Sequence, residues 1–213
     1  MTEQQHNNGL DTKGLTALFP VSDIQWRAGA TNDKDNPTEA LALAYIDARA
    51  VQERLDTVCG PEGWQDEYRP TQSGFICRLS IRCGEDWIAK EDGADVSAIE
   101  PTKGGVSDSF KRAAVKWGIG RYLYDLPSEW MPCAKKGRSV VLKQTPHLPL
   151  WAVPMGDAER QRFLAKCVSL SSRLGDQYTR ILEQHGVIPE DVVSLEQAKR
   201  LTYALDEALK QAA

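Results

Sequence analysis

The basic residues with the clearest pattern lie in one short segment, SDSFKRAAVKWGIGRYLYDLP, which starts at Ser107. On a helix, Lys111, Arg112 and Lys116 share one side. The other side is an apolar stripe made of Phe110, Ala113, Ala114 and Trp117. Lysine and arginine are the side chains that hold phosphates. The segment therefore indicates either an ordinary solvent-exposed helix face or a surface that binds a polyanion.

A second group of residues suggests a different chemistry, magnesium-dependent cleavage of nucleic acid. Asp92, Asp95 and Glu100 precede Lys103, and carboxylates with a lysine are typical of metal-dependent nucleases. Such sites place the glutamate and the lysine two residues apart on one strand face. Here the two are three residues apart across Pro101, so we favour an exposed acidic loop over a nuclease site.

Other catalytic or cofactor sites are not indicated. The run TKGG lacks the GK[ST] that a phosphate-binding loop requires, so the sequence does not predict an ATP-driven recombinase. The five cysteines and three histidines show no CxxC or other tight metal-ligand spacing. We therefore predict no metal, no cofactor, no disulfide and no enzymatic activity.

The overall composition is that of a globular protein, with 41% apolar and 26% charged residues among 213. The formal net charge of -4 argues against a protein that coats nucleic acid with its whole surface. It permits a local basic groove, because the field depends on where the charges lie. The sequence shows no membrane-spanning run and no signal-peptide pattern, so we expect no membrane association and a cytoplasmic location.

Hydrophobic periodicity predicts an α+β fold with a β-β-β-α core. A strand at Leu41–Tyr45 precedes a helix from Asp47 to Gly60. An antiparallel meander then follows, in which GFICRLSIRC alternates apolar residues with Ile76, Arg78, Ser80 and Arg82. A loop over Gly93–Gly105 leads to the basic helix, whose predicted N-cap is Ser107, and this helix is expected to continue past Gly118 and Gly120.

The chain divides into four predicted regions. Residues 1–14 are expected to be disordered, and residues 15–132 form the folded DNA-binding domain with the meander packed on the long helix. Residues 133–156 are a proline-rich linker with one short strand at Ser139–Leu142. Residues 157–213 form a small helical module, in which Ser194 and Gln197 have the spacing of a capping box.

Several motifs together resemble those of the Rad-fifty-two family of single-strand annealing proteins, including its phage and bacterial relatives. They occur in the family's order: FPVSDIQWR, YIDARAVQERLDTVCGPEGW, KEDGADVS and SDSFKRAAVKWGIGRYLYDLP. The resemblance implies subunits assembled into rings or filaments. It also implies that single-stranded DNA is bound in a basic groove and annealed without nucleotide.

The resemblance also assigns residues to the DNA. Lys111 and Arg112 match the family's basic pair, whereas Val115 stands where the family has a third basic residue and Lys116 lies one position later. Arg49 corresponds to a basic residue near the start of the first long helix. Independently of the resemblance, Arg78 and Arg82 lie on the polar face of the strand and are expected to line the same groove. Lys90 and Lys103 are the candidate substitutes for the lysines of the family's second DNA site.

The family's second DNA site uses hairpin lysines, and Glu85 and Asp86 occupy that hairpin here, so a duplex-binding site is poorly supported. Base stacking by Tyr122, Tyr124 or Trp87 is an alternative to a core or interface role for these rings. A protein that protects single-stranded ends without annealing them is the alternative function. A single-strand binding protein is the hypothetical partner of residues 157–213.

Overall fold

The computed structural model describes residues 10–96 and 101–211, and the chain divides into two compact units. The first unit comprises residues up to Ala17 together with Ser22–Thr145, and the second comprises Leu18–Val21 together with Pro146–Ala213. Within the described ranges, no helix combines the length and apolarity needed to cross a membrane. Each unit has its own secondary structure and is considered separately below.

The N-terminal segment is partly helical. Disorder was predicted for residues 1–14, of which residues 1–9 lie outside the described part of the chain. Thr12–Thr16 form a short helix, α1, and the Asp11 carboxylate caps it by accepting a hydrogen bond from the Gly14 N–H at 2.9 Å. Leu15 is 1% exposed, and its burial holds the segment on the first unit.

The predicted meander and basic helix form the centre of the first unit, which confirms the α+β fold. Strands β3 (Trp64–Pro70), β4 (Gly74–Cys83) and β5 (Asp86–Asp95) make an antiparallel sheet in the order β3-β4-β5. Helix α3 (Pro101–Lys116) packs against β4 and β5. Alternation along β4 turns three buried side chains, Cys77, Leu79 and Ile81, toward the helix.

Helix α3 begins six residues before the predicted N-cap Ser107, and the prediction was wrong because it assigned Gly104 and Gly105 to a loop. Pro101 is the first helical residue, a position where proline costs nothing because its missing N–H would be unpaired. A Cβ atom on Gly105 would lie 2.9 Å from Phe75 Cδ2 and 3.0 Å from Val96 Cγ1. Close packing on the sheet thus outweighs the weak helix propensity of glycine.

Helix α3 also ends earlier than predicted, at Lys116. Gly118 has φ of 95° and Gly120 has φ of 67°, a left-handed conformation that stops a helix and favours glycine. A Cβ atom on Gly118 would lie 2.6 Å from Thr16 Cγ2, and one on Gly120 would lie 2.9 Å from Ile46 Cδ1. These glycines therefore admit side chains of the same chain, and a short 3₁₀ turn over Arg121–Asp125 follows.

A second sheet of four strands completes the first unit and was only partly predicted. Its order is β1-β2-β6-β7, with β1 at Gln25–Thr31, β2 at Glu39–Tyr45, β6 at Trp130–Lys136 and β7 at Ser139–Leu142. The predictions of strands β2 and β7 and of helix α2 (Ala48–Cys59) are confirmed. Asp47 and Gly60 cap this helix.

Strand β6 falls largely within the predicted linker. The sequence did not predict it, because Pro132 argues against a strand. The structure tolerates this proline at the point where β6 changes partner. Before it, Trp130 and Met131 pair with β2, and after it Cys133–Lys136 pair with β7. Sheet pairing thus extends the first unit beyond the expected end at residue 132, to Thr145.

The second unit is helical, as predicted, with α4 at Asp157–Leu174, α5 at Asp176–His185 and α6 at Leu195–Gln211. Its core contains apolar residues at helical spacing: Phe163, Cys167, Leu170, Leu174 and Ile181. The capping box is present, since the Gln197 N–H donates to Ser194 Oγ at 3.2 Å and Gln197 Oε1 accepts from the Ser194 N–H at 3.3 Å.

Candidate nucleic-acid interface

A groove of about 1150 Å³ in the first unit brings the basic side of α3 together with residues from β1, β2, β5 and the turn after α3. This volume exceeds the roughly 300–1,000 Å³ typical of small-molecule pockets. Its charged lining residues are Arg27, Asp95, Asp108, Lys111 and Arg112, and its aromatic ones are Trp26, Tyr45, Phe75 and Tyr124. Cations beside aromatic rings are the composition of a surface for a single nucleic-acid strand.

Helix α3 has the two faces that its sequence predicts. The stripe of Phe110, Ala113, Ala114 and Trp117 is at most 9% exposed and faces the sheet. Lys111 and Arg112 project from the other side into the groove. Val115, where the family resemblance expects a third basic residue, also lines the groove, so that position has the expected location without the charge.

Both groove cations of α3 are held by carboxylates. Lys111 Nζ lies 2.8 Å from Asp108 Oδ1, one helical turn away, and 5.6 Å from the centre of the Tyr45 ring. Arg112 donates from Nε to Asp92 Oδ1 at 3.2 Å. The side chain of Arg112 is 52% exposed and that of Asp92 only 22%, so the guanidinium keeps solvent-facing donors for a phosphate.

Arg27 is a groove residue that the sequence analysis missed. It lies on β1, opposite Leu43 of β2, and its side chain is exposed. The structure places it in the same groove as Lys111 and Arg112. The only sequence signal was its position in FPVSDIQWR, one of the four motifs that carry the family resemblance. The lining of the groove adds Arg27 to the candidate DNA-binding residues.

Asp92 is a partly buried carboxylate between two cations. Lys116 Nζ lies 3.7 Å from its second oxygen, Oδ2, and the Gly93 N–H donates to Oδ1 at 2.8 Å. Burial raises the pKa of Asp92, but the Gly93 hydrogen bond and the charges of Arg112 and Lys116 outweigh burial, so the pKa lies below its ordinary value of 3.8. Asp92 is therefore ionised at neutral pH and stabilises the folded state.

This depressed pKa gives a prediction for acid unfolding. A carboxylate whose folded pKa lies below its unfolded pKa stabilises the protein above the unfolded value, and the stabilisation is lost as the pH falls through the folded value. Asp92→Asn should therefore lower the free energy of unfolding at pH 7 and flatten its decline below about pH 4. Urea unfolding at a series of pH values from 7 to 2.5 measures the free energy of unfolding and its decline. If the decline below about pH 4 were the same in Asp92→Asn as in the wild type, the lowered pKa of Asp92 would be contradicted.

Lys90 and Lys116 hold the end of α3 against β5. Lys90 Nζ donates to the Lys116 carbonyl at 2.9 Å and lies 4.3 Å from the centre of the Trp117 ring. Arg121 caps the same helix end by donating to the carbonyl oxygens of Val115 and Lys116 at 2.8 to 3.0 Å. Neither lysine is among the groove-lining residues of the described chain, so DNA contact by Lys90 or Lys116 stays a prediction.

Arg78 and Arg82 do not line the same groove, which corrects the expectation from the sequence. They alternate with the buried residues of β4 and lie on the sheet face away from α3, where Arg78 Nη1 lies 3.6 Å from Glu91 Oε1. Trp87 stands directly opposite Arg82 on this outer face and is not among the described groove-lining residues. Strand alternation turns Arg78 and Arg82 away from α3, since adjacent residues point to opposite faces.

The remaining predicted residues are dispersed. Arg49 lies in the first turn of α2 and Lys103 in the first turn of α3; both are exposed, and neither is among the described groove-lining residues. Among the described groove-lining residues, Tyr124 is the one member of the three candidate stacking rings Tyr122, Tyr124 and Trp87. It is 71% exposed. Tyr122 is half-buried.

The acidic residues considered for a nuclease are engaged elsewhere. Asp92 binds the cations of α3, and Asp95 Oδ1 accepts a hydrogen bond from Ser73 Oγ at 2.5 Å. Glu100 lies outside the described residues. Over residues 10–96 and 101–211, no group of three or more histidines, cysteines, aspartates or glutamates is arranged to hold a metal ion, and all five cysteines are free thiols.

Comparison with known proteins identifies the family. Two similar proteins are both called single-stranded DNA-binding protein DdrA. The one from Deinococcus radiodurans is 40% identical over 150 residues, which cover 70% of this chain and 69% of that protein. The one from Deinococcus deserti is 37% identical over 179 residues, covering 80% and 83%. Residues 11–139 match the Rad52/22 family of double-strand break repair proteins, and the chain belongs to that family.

Proposed function

We propose that this protein binds single-stranded DNA in the groove of its first unit and anneals complementary strands during recombination and repair. The observation that carries the proposal is the meeting of Arg27, Lys111 and Arg112 in one groove beside aromatic rings, of which Tyr124 is exposed. The two similar Deinococcus proteins are named for single-stranded DNA binding, and the family for double-strand break repair.

The binding chemistry follows from the side chains. The cations neutralise phosphates of the strand and release its counterions, which gives affinity without base sequence information. The exposed ring of Tyr124 offers a stacking surface that every base can use. We therefore expect a binding site that tolerates all sequences and weakens as the salt concentration rises.

The annealing mechanism is one of positioning and needs neither nucleotide nor metal. Phosphates held in grooves that repeat around a homo-oligomeric ring or filament would leave the bases exposed and aligned. Two such strands meet in a conformation that already resembles half of a duplex, which removes part of the entropic cost of pairing. The ring and the ATP independence rest on the family resemblance.

Mixing two complementary labelled oligonucleotides tests annealing directly. With the protein and without nucleotide, we expect duplex to form several-fold faster than in buffer alone. A protein that only protects single-stranded ends would slow duplex formation instead, and that result would replace annealing with the alternative function. Adding ATP should leave the rate unchanged. Electron microscopy with and without single-stranded DNA tests the ring or filament.

The second unit is a candidate partner-binding module. Its helices bury a core of their own, separate from the groove residues, which all belong to the first unit. A single-strand binding protein as its partner stays a prediction. Deleting residues 157–213 should abolish co-purification with that partner, whereas unchanged co-purification would argue against the assignment.

A further inference from the structure

The lysine that should contact the DNA already has a partner inside the groove. Lys111 Nζ lies 2.8 Å from Asp108 Oδ1, and the Asp108 side chain is 56% exposed. Both residues line the groove. The Asp108 carboxylate and a DNA phosphate are both negatively charged. A phosphate that binds Lys111 closely must therefore displace this carboxylate or share the ammonium group with it.

We propose that Asp108 is a built-in competitor of the DNA phosphate for Lys111, and that it limits the affinity of the groove for single strands. This inference rests on the proposed function. It assigns Asp108 as an affinity-determining residue that acts through Lys111 and does not itself touch the strand. A groove that holds strands weakly lets them exchange, which suits a protein that must release the duplex it forms.

The two carboxylates that hold groove cations differ in their surroundings, and this difference singles out Asp108. Asp92 is 22% exposed in its side chain, accepts a hydrogen bond from the Gly93 N–H, and lies near both Arg112 and Lys116. Asp92 is not among the described groove-lining residues. It holds Arg112 from the side of the sheet, on β5. Among the described residues, Asp108 pairs with one cation, Lys111, and it lines the groove.

The exchange has a thermodynamic signature. Lys111 with Asp108 is a pair of zero net charge, so the pair neutralises little of the strand. Removing the Asp108 charge turns the pair into a net cation. Each neutralised phosphate of a single strand changes the slope of log affinity against log salt concentration by about 0.7, so Asp108→Asn should steepen this slope by up to that amount.

Asp95 supplies a matched control in the same groove. Its carboxylate also lines the groove, but its described partner is the neutral Ser73 hydroxyl. Asp95→Asn therefore makes the same change of net charge near the strand without releasing a cation. Any gain in affinity from Asp95→Asn measures long-range electrostatics, and this gain should not depend on Lys111.

The experiment measures binding of a labelled 30-nucleotide single strand by the full chain, over a range of salt concentrations. Five variants are compared with the wild type: Asp108→Asn, Asp95→Asn, Lys111→Ala and each Asn variant combined with Lys111→Ala. Since partly exposed ion pairs contribute up to about 1 kcal/mol, equivalent to about fivefold, we expect Asp108→Asn to raise the affinity up to about fivefold. Matching thermal unfolding midpoints show that the variants are folded.

The dependence on Lys111 decides the proposal. A gain from Asp108→Asn that exceeds the gain from Asp95→Asn and disappears in the Lys111→Ala background supports direct competition. An unchanged or lower affinity, or a gain that persists without Lys111, overturns it. Failure of the proposed function is distinguishable, because then Lys111→Ala combined with Arg112→Ala would leave binding unchanged, whereas failure of this inference alone would not affect that double variant.

Discussion

Replacing Lys111 and Arg112 together by alanine should weaken binding of single-stranded DNA by about tenfold to hundredfold. Both side chains enter the groove, and hydrogen bonds to charged groups contribute about 1.5–3 kcal/mol each, part of which the existing ion pairs with Asp108 and Asp92 offset. The loss should be similar for all base sequences, because phosphate contacts carry no sequence information. It should also flatten the salt dependence, by at most about 1.4 in the logarithmic slope.

A matched control for this variant lies in the second unit, where Lys199 and Arg200 are adjacent and exposed on α6. Lys199→Ala with Arg200→Ala removes the same residue types and the same charge, so it reports the effect of net charge alone. Fluorescence anisotropy with a labelled strand at several salt concentrations measures both variants. Equal losses from the two double variants would show that the groove is not the binding site.

Trp117→Ala should lower the free energy of unfolding by about 3–5 kcal/mol, the range for large-to-small substitutions of buried aromatic residues. Trp117 is 9% exposed, and its indole N–H donates to the Leu79 carbonyl at 3.2 Å. Its ring also lies under the Lys90 ammonium group at 4.3 Å. The substitution leaves a cavity between α3 and β4, loses the hydrogen bond and releases the cation at the helix end.

Urea unfolding measures this effect, and Trp87→Ala is its control. Trp87 is 43% exposed on the outer face of the sheet, so its replacement should cost at most about 1 kcal/mol. Because α3 carries Lys111 and Arg112, Trp117→Ala should impair DNA binding only where the protein has lost its fold. A stable Trp117→Ala variant that fails to bind DNA would instead place this ring in the interface.

The sequence by itself determined strand β4 and the two faces of α3. Alternation predicted β4, and the spacing of Phe110, Ala113, Ala114 and Trp117 predicted the buried stripe, because both patterns depend on fixed periods of 2.0 and 3.6 residues. The opposition of stripe and cations therefore follows from sequence. The same periodicity shows only that Lys111 and Arg112 point away from the core, and it does not show what they face.

The helix boundaries and the second sheet depended on contacts that are distant in sequence. Gly105 is helical because β4 approaches it closely at Phe75. Strand β6 forms in spite of Pro132, because its two halves pair with different neighbours. Local propensity predicts loops for both segments, because glycine costs about 1 kcal/mol in a helix relative to alanine and proline cannot donate to a sheet. Tertiary packing outweighs both preferences.

The groove itself was decided only by the tertiary structure. Arg27 and Lys111 are far apart in the sequence, and packing of β1 and β2 near α3 places both in one groove with Asp108. Conversely, Arg78 belongs to β4, which packs against α3, but strand alternation turns its side chain to the sheet face away from the helix. The sequence determined which residues are cationic and which face of an element they occupy. The fold decided which of those faces meet, because that depends on how the sheets and helix pack together.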